Sequence, residues 1–501
     1  MSKRTTSAAR NTVYNSLGYG WRLILSLIVT PFLLTRLTND AYGVFMLVLL
    51  INNYLEYLYF GMGESVTKSI SACRDGDSRK WIINSAFFTF VALGGISAIG
   101  FAVFTGFFLL ETFQIPPHLA DNSRFVFYVL AAAFALNLPF TALSSAMRGL
   151  QRMDLLNRLL ILQATLANAS MLVALGCGYG LREMIIAYTG INTLGNVANF
   201  SILKHVFPAF EISWRWFDWK ETRSLFRFGV PSTIGGLSYL VIYYINIPML
   251  GMFLPLGVVT YYIVANQLAS QIWVVSSMAY MALFPLVSEL FSEKNLDAVR
   301  ELYSSATVLI LSVTSPLAVT LFVLSDRIFL FWLGKDFQPA VLPLQVLNVA
   351  WLISTLASAS SFTSRGIGRP RIDATLASAI ALANVGLNFL IIPVHAIPGA
   401  LAATFILQAL GSAANIWIVT RLIRIESRIA YLGRILKVFL ASLLPAGIMY
   451  PAWQSLPVTA AQGALYLVSY ALIVWRFCWT EGEKRILRSI LPPSLEKFFS
   501  A

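Results

Sequence analysis

The chain has 501 residues, of which 57% are hydrophobic and 12% charged, with a mean hydropathy of +0.72. A soluble globular chain carries about 25% charged residues, so this one lacks the polar groups to cover a water-facing surface, and its outer surface is expected to be lipid. The net charge of +13 raises nucleic acid as a partner, and its distribution excludes it: the basic residues sit in short loops between apolar runs. Cys73, Cys177 and Cys478 lie far apart without CxxC spacing, and His118, His205 and His395 are equally scattered. No metal site, redox pair or cofactor is expected from them.

A helix needs about 20 apolar residues to cross the hydrocarbon, and a window of that length predicts about fourteen spans. The first six run near Val13–Leu37, Tyr42–Gly63, Trp81–Leu110, Phe125–Met147, Leu159–Cys177 and Met184–Leu203. No early segment has the short apolar core and small-residue cleavage site of a signal peptide, so the first run is expected to be retained. A basic linker follows, with Trp214, Trp216 and Trp219 beside Arg215, Lys220 and Arg223. That mixture fits a connector lying in the membrane interface, rings at headgroup depth and cations toward phosphate. Next come Phe226–Leu250, Leu256–Pro285, Leu302–Leu333, Ala340–Phe362, Ala374–Ile392 and Gly399–Thr420, then a pair at Ile435–Tyr450 and Ala460–Trp475. The organisation expected is a lobe over residues 1–205, an interfacial linker over 206–225, a second lobe over 226–421, and a terminal helix pair with a basic tail over 422–501.

Lysine and arginine orient these spans. With the amino terminus cytoplasmic, the inner segments collect most of the 36 basic residues, among them Lys3, Arg4, Arg10, Lys68, Arg74, Arg79, Arg148, Arg152, Arg158, Arg365, Arg369, Arg421 and Arg424. The outer loops hold only Arg36, Arg124, Arg182, Arg327 and Lys335. Shifting the register by one helix inverts this bias, so both termini are expected inside, with Arg485 and Arg488 in the inner tail. Cys177 is then the only thiol near the outer face, and no intramolecular disulfide is expected.

The two halves repeat at an offset of 217 residues. Gly18 falls on Gly235, Pro31 on Pro248, Arg148 on Arg365, Gly149 on Gly366 and Arg152 on Arg369. Five coincidences at one offset, including an Arg-Gly-x-x-Arg loop in each half, argue for duplication. An even number of spans separates the copies, so they share orientation, as in transporters built from parallel repeats. Pro31 and Pro248, late in the first span of each half, each remove a backbone hydrogen bond and permit a bend. They are candidate gating positions, with a static kink as the plainer use.

Several segments resemble one family. They are Leu37-Thr-Asn-Asp-Ala-Tyr42-Gly43, Phe60-Gly61-Met-Gly63-Glu-Ser-Val-Thr-Lys68, Thr363-Ser-Arg365-Gly366-Ile-Gly368-Arg369 followed by Asn384, Asn388 and Pro393, and Ile397-Pro-Gly399-Ala400-Leu-Ala-Ala403-Thr404. In this order they resemble the polysaccharide-transport branch of the multidrug/oligosaccharidyl-lipid/polysaccharide exporter superfamily, which includes O-antigen flippases. The resemblance implies an all-α integral membrane fold of two six-helix lobes in a V, like the multidrug exporters, plus a C-terminal helix pair. It implies an undecaprenyl-diphosphate-linked oligosaccharide as substrate, moved from the cytoplasmic to the outer leaflet of a bacterial inner membrane. A polysaccharide polymerase and chain-length proteins are the implied partners. Relatives carry an acidic residue late in the seventh span where this chain has Tyr244-Ile-Asn246-Ile-Pro248, and an asparagine does not titrate.

Flipping such a lipid means passing hydroxyl-rich sugars and a dianionic diphosphate through apolar space. A charge at a helix centre costs about 2.5–3.5 kcal/mol on insertion scales. Two are deep here: Arg22, about 13 Å beyond Val13 at 1.5 Å per residue, and Glu56, at comparable depth from the same side. Arg22 suits a bidentate contact with diphosphate, with Glu56 holding it beforehand; the plainer alternative is a permanent structural pair. Asn52, Asn53, Tyr239, Tyr243, Asn246, Gln267 and Gln271 are candidates to bond and stack on sugars, and interhelical packing is the alternative for each. Arg148, Arg152, Arg365 and Arg369 are candidates for a cytoplasmic entrance, where topology alone also places cations. A cation-coupled multidrug antiporter is the nearest rival and would need Glu56 as its titrating group. A membrane polymerase or ligase fits poorly, because the outer loops are short and no paired-carboxylate, Ser/His or metal constellation is present.

Overall fold

The structure, a computed structural model, describes residues 3–59, 61–73, 75–281, 283–425, 427–449 and 456–484. The side chains of Glu56, Lys3, Arg4 and Arg10, and residues Arg74, Arg485 and Arg488, lie outside the described residues. The described residues are helical with short turns, in two compact units, Met1–Thr260 and Tyr261–Ala501.

The first unit contains α1 (Lys3–Arg36), α2 (Asn39–Leu55), α3 (Met62–Ala72), α4 (Gly76–Phe107), α5 (Leu109–Thr112), α6 (Ala120–Asn137), α7 (Phe140–Gly149), α8 (Met153–Gly176), α9 (Leu181–Val206), α10 (Trp219–Tyr244), α11 (Asn246–Phe253) and the start of α12 (Leu256–Ala269). The second continues with α13 (Gln271–Met281), α14 (Leu283–Ser292), α15 (Leu296–Val323), α16 (Ser325–Trp332), α17 (Val341–Gly366), α18 (Pro370–Leu422), α19 (Arg428–Leu443) and α20 (Leu456–Ile473).

Among the described residues, nine helices are long and apolar enough to cross a membrane, or ten when a pair bent by 46° counts as one span. Part of the difference from about fourteen has local causes; the first expected span, on α1, is also not among the nine. The 53-residue α18 joins two expected spans at Ala396, whose φ of 51° and ψ of −136° are not helical. The second expected span is cut short because α2 ends after 17 residues in a 3-10 turn, Glu56–Tyr59. The α9 helix has length enough but is diluted by Asn192, Asn196 and Asn199. The expected span Phe125–Met147 keeps its crossing, which ends at Asn137, but divides at Pro139, which leaves the Ala135 carbonyl without its i+4 donor. That carbonyl approaches Gly94, where an added Cβ would come within 3.1 Å. Pro248 acts alike: it cannot donate to Tyr244, and the helix breaks there into α10 and α11 at the 46° bend.

Within unit 1, the core gathers Met62, Val66, Ile70, Ile83, Phe90, Ala142, Met147, Phe210 and Leu225. The linker after α9 is pinned to α4 by the buried Asn84, which donates to the Glu211 carbonyl (3.1 Å) and accepts from the Ser213 amide (3.0 Å). Ser85 Oγ accepts from the Asp218 amide at 2.9 Å. Trp216 meets Trp81 edge to face with Lys80 over its ring, while Trp214 and Trp219 are 65% and 66% exposed. Anchored backbone with exposed indoles is the geometry expected of an interfacial segment.

In unit 2, Pro316 inside α15 frees the carbonyl of Ser312, and Tyr470 of α20 donates its hydroxyl to that oxygen at 2.9 Å. Trp479 Nε1 adds a bond to Ser312 Oγ at 2.9 Å. The terminal helices therefore dock on a carbonyl exposed by a proline, which keeps the freed group paired in a medium without water.

The repeat is visible in local geometry. After α7 the amides of Leu150, Gln151 and Arg152 bond the carbonyls of Ala146, Arg148 and Met147, and after α17 those of Ile367, Gly368 and Arg369 bond Thr363, Arg365 and Ser364. Each pair differs by the same 217 positions. Gln151 and Gly368 occupy the equivalent left-handed position, with φ of 60° and 76°. A Cβ on Gly149 would meet Ile70 Cβ at 2.7 Å, and one on Gly366 would meet Val287 Cγ1 at 2.6 Å. Ile70 and Val287 are again equivalent, so each half closes its Arg-Gly turn on the same packing contact.

Candidate functional site

The polar residues singled out in the first unit fall on α1, α2, α10 and α11. Arg22 is exposed on α1, and its Nε donates to the Gly18 carbonyl at 3.3 Å. Its neighbour Trp21 donates to Thr165 Oγ1 of α8 at 2.8 Å, which fixes that turn of α1. Asn52 is half-buried and Asn53 exposed near the end of α2. Because the Glu56 side chain lies outside the described residues, the expected Arg22–Glu56 pairing stands as an expectation.

The turn after α2 lies close against α10. Gly61 has a φ of 61°, and a Cβ there would come within 2.5 Å of the Gly229 carbonyl. Only glycine suits both the left-handed backbone and that approach. The Tyr57 ring covers Gly236, where a Cβ would sit 2.7 Å from it. The Tyr54 hydroxyl lies within electrostatic reach of Tyr57 and Tyr244, and it is buried with no hydrogen-bond partner among the described residues. Tyr239 and Tyr243 stack with ring centroids 6.1 Å apart. Asn246 and Pro248 are both buried at the bend of α10 into α11. The end of span two and the tyrosines of span seven thus form one polar, aromatic strip within unit 1. Tyr54 and Tyr57 were not among the sequence candidates; in a span rich in aromatics nothing marks them until Gly61 and Gly236 show where α10 approaches.

Gln267 and Gln271 are half-buried in unit 2, and Gln271 Nε2 bonds back to the Gln267 carbonyl at 2.8 Å. Nearby Asn266 accepts from Trp351 Nε1 at 3.1 Å in a buried contact, so it serves as interhelical glue. Asn384 and Asn388 are buried on one face of α18, with Asn388 Nδ2 donating to the Asn384 carbonyl at 2.9 Å.

The four loop arginines divide. Arg152 forks onto Asp154 at 3.1 and 3.3 Å and holds that carboxyl below the usual carboxylate range. Arg365 places Nε and Nη2 on one oxygen of Asp373 at 2.9 and 2.6 Å, and Asp373 is only 4% exposed. Arg148 donates to Ser145 Oγ at 3.0 Å, and Arg369 is exposed at the start of α18. Two of the four therefore engage acidic neighbours that sequence reading did not single out.

A further contact ties equivalent positions of the two repeats. Asp40 Oδ1 accepts the Gly257 amide at 2.6 Å, and Thr260 Oγ1 donates to the Asn39 carbonyl at 2.8 Å. A Cβ on Gly43 would meet the Leu256 carbonyl at 2.6 Å. Asp40 and Gly257, Asn39 and Leu256, Gly43 and Thr260 are all 217 apart. The contacts are reciprocal, so equivalent positions of the two sequence copies meet here within unit 1, where the carboxylate of Asp40 caps the start of α12.

Comparison with known proteins places this architecture. A protein of Shigella flexneri named as a candidate O-antigen transporter is 19% identical over 434 residues, covering 83% of this chain and 98% of that one. An uncharacterized membrane protein of Methanocaldococcus jannaschii is 25% identical over 230 residues, 45% of each chain. Among solved structures, the lipid II flippase MurJ in an inward closed conformation matches with a TM-score of 0.72 at 14% identity, covering 92% of this chain and 98% of that one. An inward-facing multidrug MATE transporter of the MOP superfamily matches with a TM-score of 0.66 at 14% identity, covering 81% and 96%. The fold is accordingly the all-helical MurJ/MATE fold of that superfamily. A family profile described as polysaccharide biosynthesis protein matches residues 8–291, more than half of the chain, and the chain belongs to that family.

Proposed function

We propose that this protein flips an undecaprenyl-diphosphate-linked oligosaccharide from the cytoplasmic to the outer leaflet of a bacterial inner membrane, by alternating access of two repeated lobes. The observation that carries the reading is Arg22, an exposed guanidinium about 13 Å along the first apolar span at 1.5 Å per residue. A cation there costs about 2.5–3.5 kcal/mol on insertion scales, and a diphosphate offsets that cost through bidentate, charge-assisted bonds. Glu56 serves as its partner between substrates. The strip of Tyr54, Tyr57, Tyr239 and Tyr243 with Asn52 and Asn53 supplies stacking faces and amides for sugar rings. Gln267 and Gln271 contribute from the second lobe, and the exposed Arg369 with Arg148 gathers the anionic headgroup at the entrance. The bend at Pro248 and its counterpart Pro31 absorb the rocking, and the Asp40–Gly257 junction closes the outer side. The Shigella flexneri relative is named for O-antigen transport and MurJ for flipping lipid II, which supports this substrate class. The product feeds a polysaccharide polymerase and chain-length proteins at the outer face.

Deleting the gene tests the reading. Lipid-linked oligosaccharide is expected to accumulate on the inner leaflet with loss of surface polysaccharide. Normal surface polysaccharide with altered dye efflux would assign the chain to antiport instead.

A further inference from the structure

A cavity of about 440 Å³ lies between the start of α8 and the end of α9, away from the residues proposed for transport. Leu155, Leu159, Leu162 and Ile202 form its walls, and Arg158, Ser201 and His205 supply its polar groups. The spacing explains the grouping. Leu155, Leu159 and Leu162 recur at i, i+4 and i+7 on α8, with Arg158 between them, and Ser201 and His205 are one turn apart on the antiparallel α9. Arg158, Ser201 and His205 are exposed, and no ion pair among the described residues engages either Arg158 or His205.

The apolar wall continues past the cavity. Leu162, Leu166 and Val173 are exposed along α8, at 56%, 46% and 64%, and Val197 and Leu194 are exposed along α9. From Arg158 to Val173 this lane runs about 22 Å at 1.5 Å per residue, more than the about 15 Å of one leaflet's hydrocarbon. An apolar lane capped by a cation, an imidazole and a hydroxyl is complementary to one class of molecule, an anionic lipid with its phosphate at the cap and its chains along the lane. Arg158 sits five residues inside α8, from where its stem reaches back toward headgroup depth. Among the described residues no Phe, Tyr or Trp ring and no side-chain amide lines the cavity, which disfavours a sugar-bearing substrate.

We propose that the α8–α9 groove binds an anionic glycerophospholipid, with Arg158 and His205 on its phosphate and Ser201 bonding the headgroup. The basic residues at this end, Arg152 just before α8 and Lys204 in the last turn of α9, assign the site to the inner leaflet by the positive-inside rule. The site stands apart from the proposed transport path, so it does not depend on the substrate assignment.

Native mass spectrometry of the purified full chain tests this, with dioleoylphosphatidylglycerol and dioleoylphosphatidylcholine offered separately and together. Phosphatidylglycerol is expected to bind in preference. Arg158→Gln is expected to weaken it about fivefold, which is about 1 kcal/mol for a cation at a membrane surface, and to leave phosphatidylcholine unchanged. Arg158→Lys is expected to keep most of the preference and His205→Gln to lose part of it, so the outcome does not hang on one variant folding. Lys335→Gln, on an expected outer loop, is expected to change nothing. Equal binding of both lipids by the unaltered chain, or an unchanged preference in Arg158→Gln, overturns the proposal. So does displacement of phosphatidylglycerol by equimolar undecaprenyl phosphate, which would make the groove part of the transport path.

Discussion

Replacing Asp40 by alanine removes the carboxylate that accepts the Gly257 amide at the start of α12, on the junction relating the two repeats. A hydrogen bond to a charged group contributes about 1.5–3 kcal/mol, and a carboxylate at a helix start adds about 0.3–1 kcal/mol. The contact is only part-buried, so the lower end applies, and about 1.5 kcal/mol shifts the closed-to-open ratio of the junction about tenfold. Leu256 is 1% exposed beneath Gly43 and reports on closure. With Leu256→Cys in a background of Cys177→Ser, a membrane-impermeant maleimide is expected to label the Asp40→Ala protein about tenfold faster than its parent. Gly257→Ala places a Cβ 2.7 Å from Asp40 Oδ1 and is expected to accelerate labelling similarly. Because both changes break one contact, the double variant is expected to label no faster than Asp40→Ala alone. Unchanged labelling with full protein levels, or additive effects, would refute the closing role of this contact.

The repeated Arg-Gly turns predict matched costs: Gly149→Ala and Gly366→Ala each force a Cβ into a neighbour under 2.8 Å away and are expected to lower stability by about 1–3 kcal/mol, read as a fall in thermal midpoint on size-exclusion chromatography. Asn84→Ala leaves the Glu211 carbonyl and the Ser213 amide without their partner, and about 1–3 kcal/mol of local stability is expected to go with it, seen as faster proteolysis of the linker. Asp154, held below its usual range by Arg152, keeps its stabilising bond above the ordinary carboxylate pKa of about 4 and loses it as pH falls through the depressed value. The stability difference between Asp154→Asn and the parent is therefore expected to be flat from neutral pH to about 5 and to vanish in strong acid. Arg22→Ala and Glu56→Ala are expected to insert normally and abolish transport; loss of both proteins from the membrane would mark a permanent structural pair instead.

Much of the fold was legible because lipid exposure writes itself as long apolar runs, although only nine or ten of the about fourteen expected spans stand as long apolar helices among the described residues. Helix breaks were harder to place. Pro139 separates α6 from α7 and Pro248 sits in the first turn of α11 just after the break from α10, yet Pro316 lies inside a continuous α15 because Tyr470, 154 positions away in sequence, pairs with the carbonyl it frees. No window of local sequence contains that partner. Of the candidate site, the sequence singled out the polar outliers, Arg22 and the span-seven tyrosines, since charge and hydroxyls in a membrane span are conspicuous. Asp40, Asp154 and Asp373 were not, because an acid near a loop is ordinary in a membrane protein. For Asp40 a signal did exist: it and Gly257 are related by the same offset as the two Arg-Gly turns.

The central claim is tested most directly by leaflet accessibility of the glycolipid itself. Purified protein reconstituted into vesicles with an undecaprenyl-diphosphate-linked oligosaccharide is expected to make the inward-facing pool accessible to an added impermeant glycan-oxidising enzyme, and Arg22→Ala vesicles are expected to keep it protected. Protection that is the same with and without the unaltered protein, or exposure that persists fully in Arg22→Ala, would contradict the account.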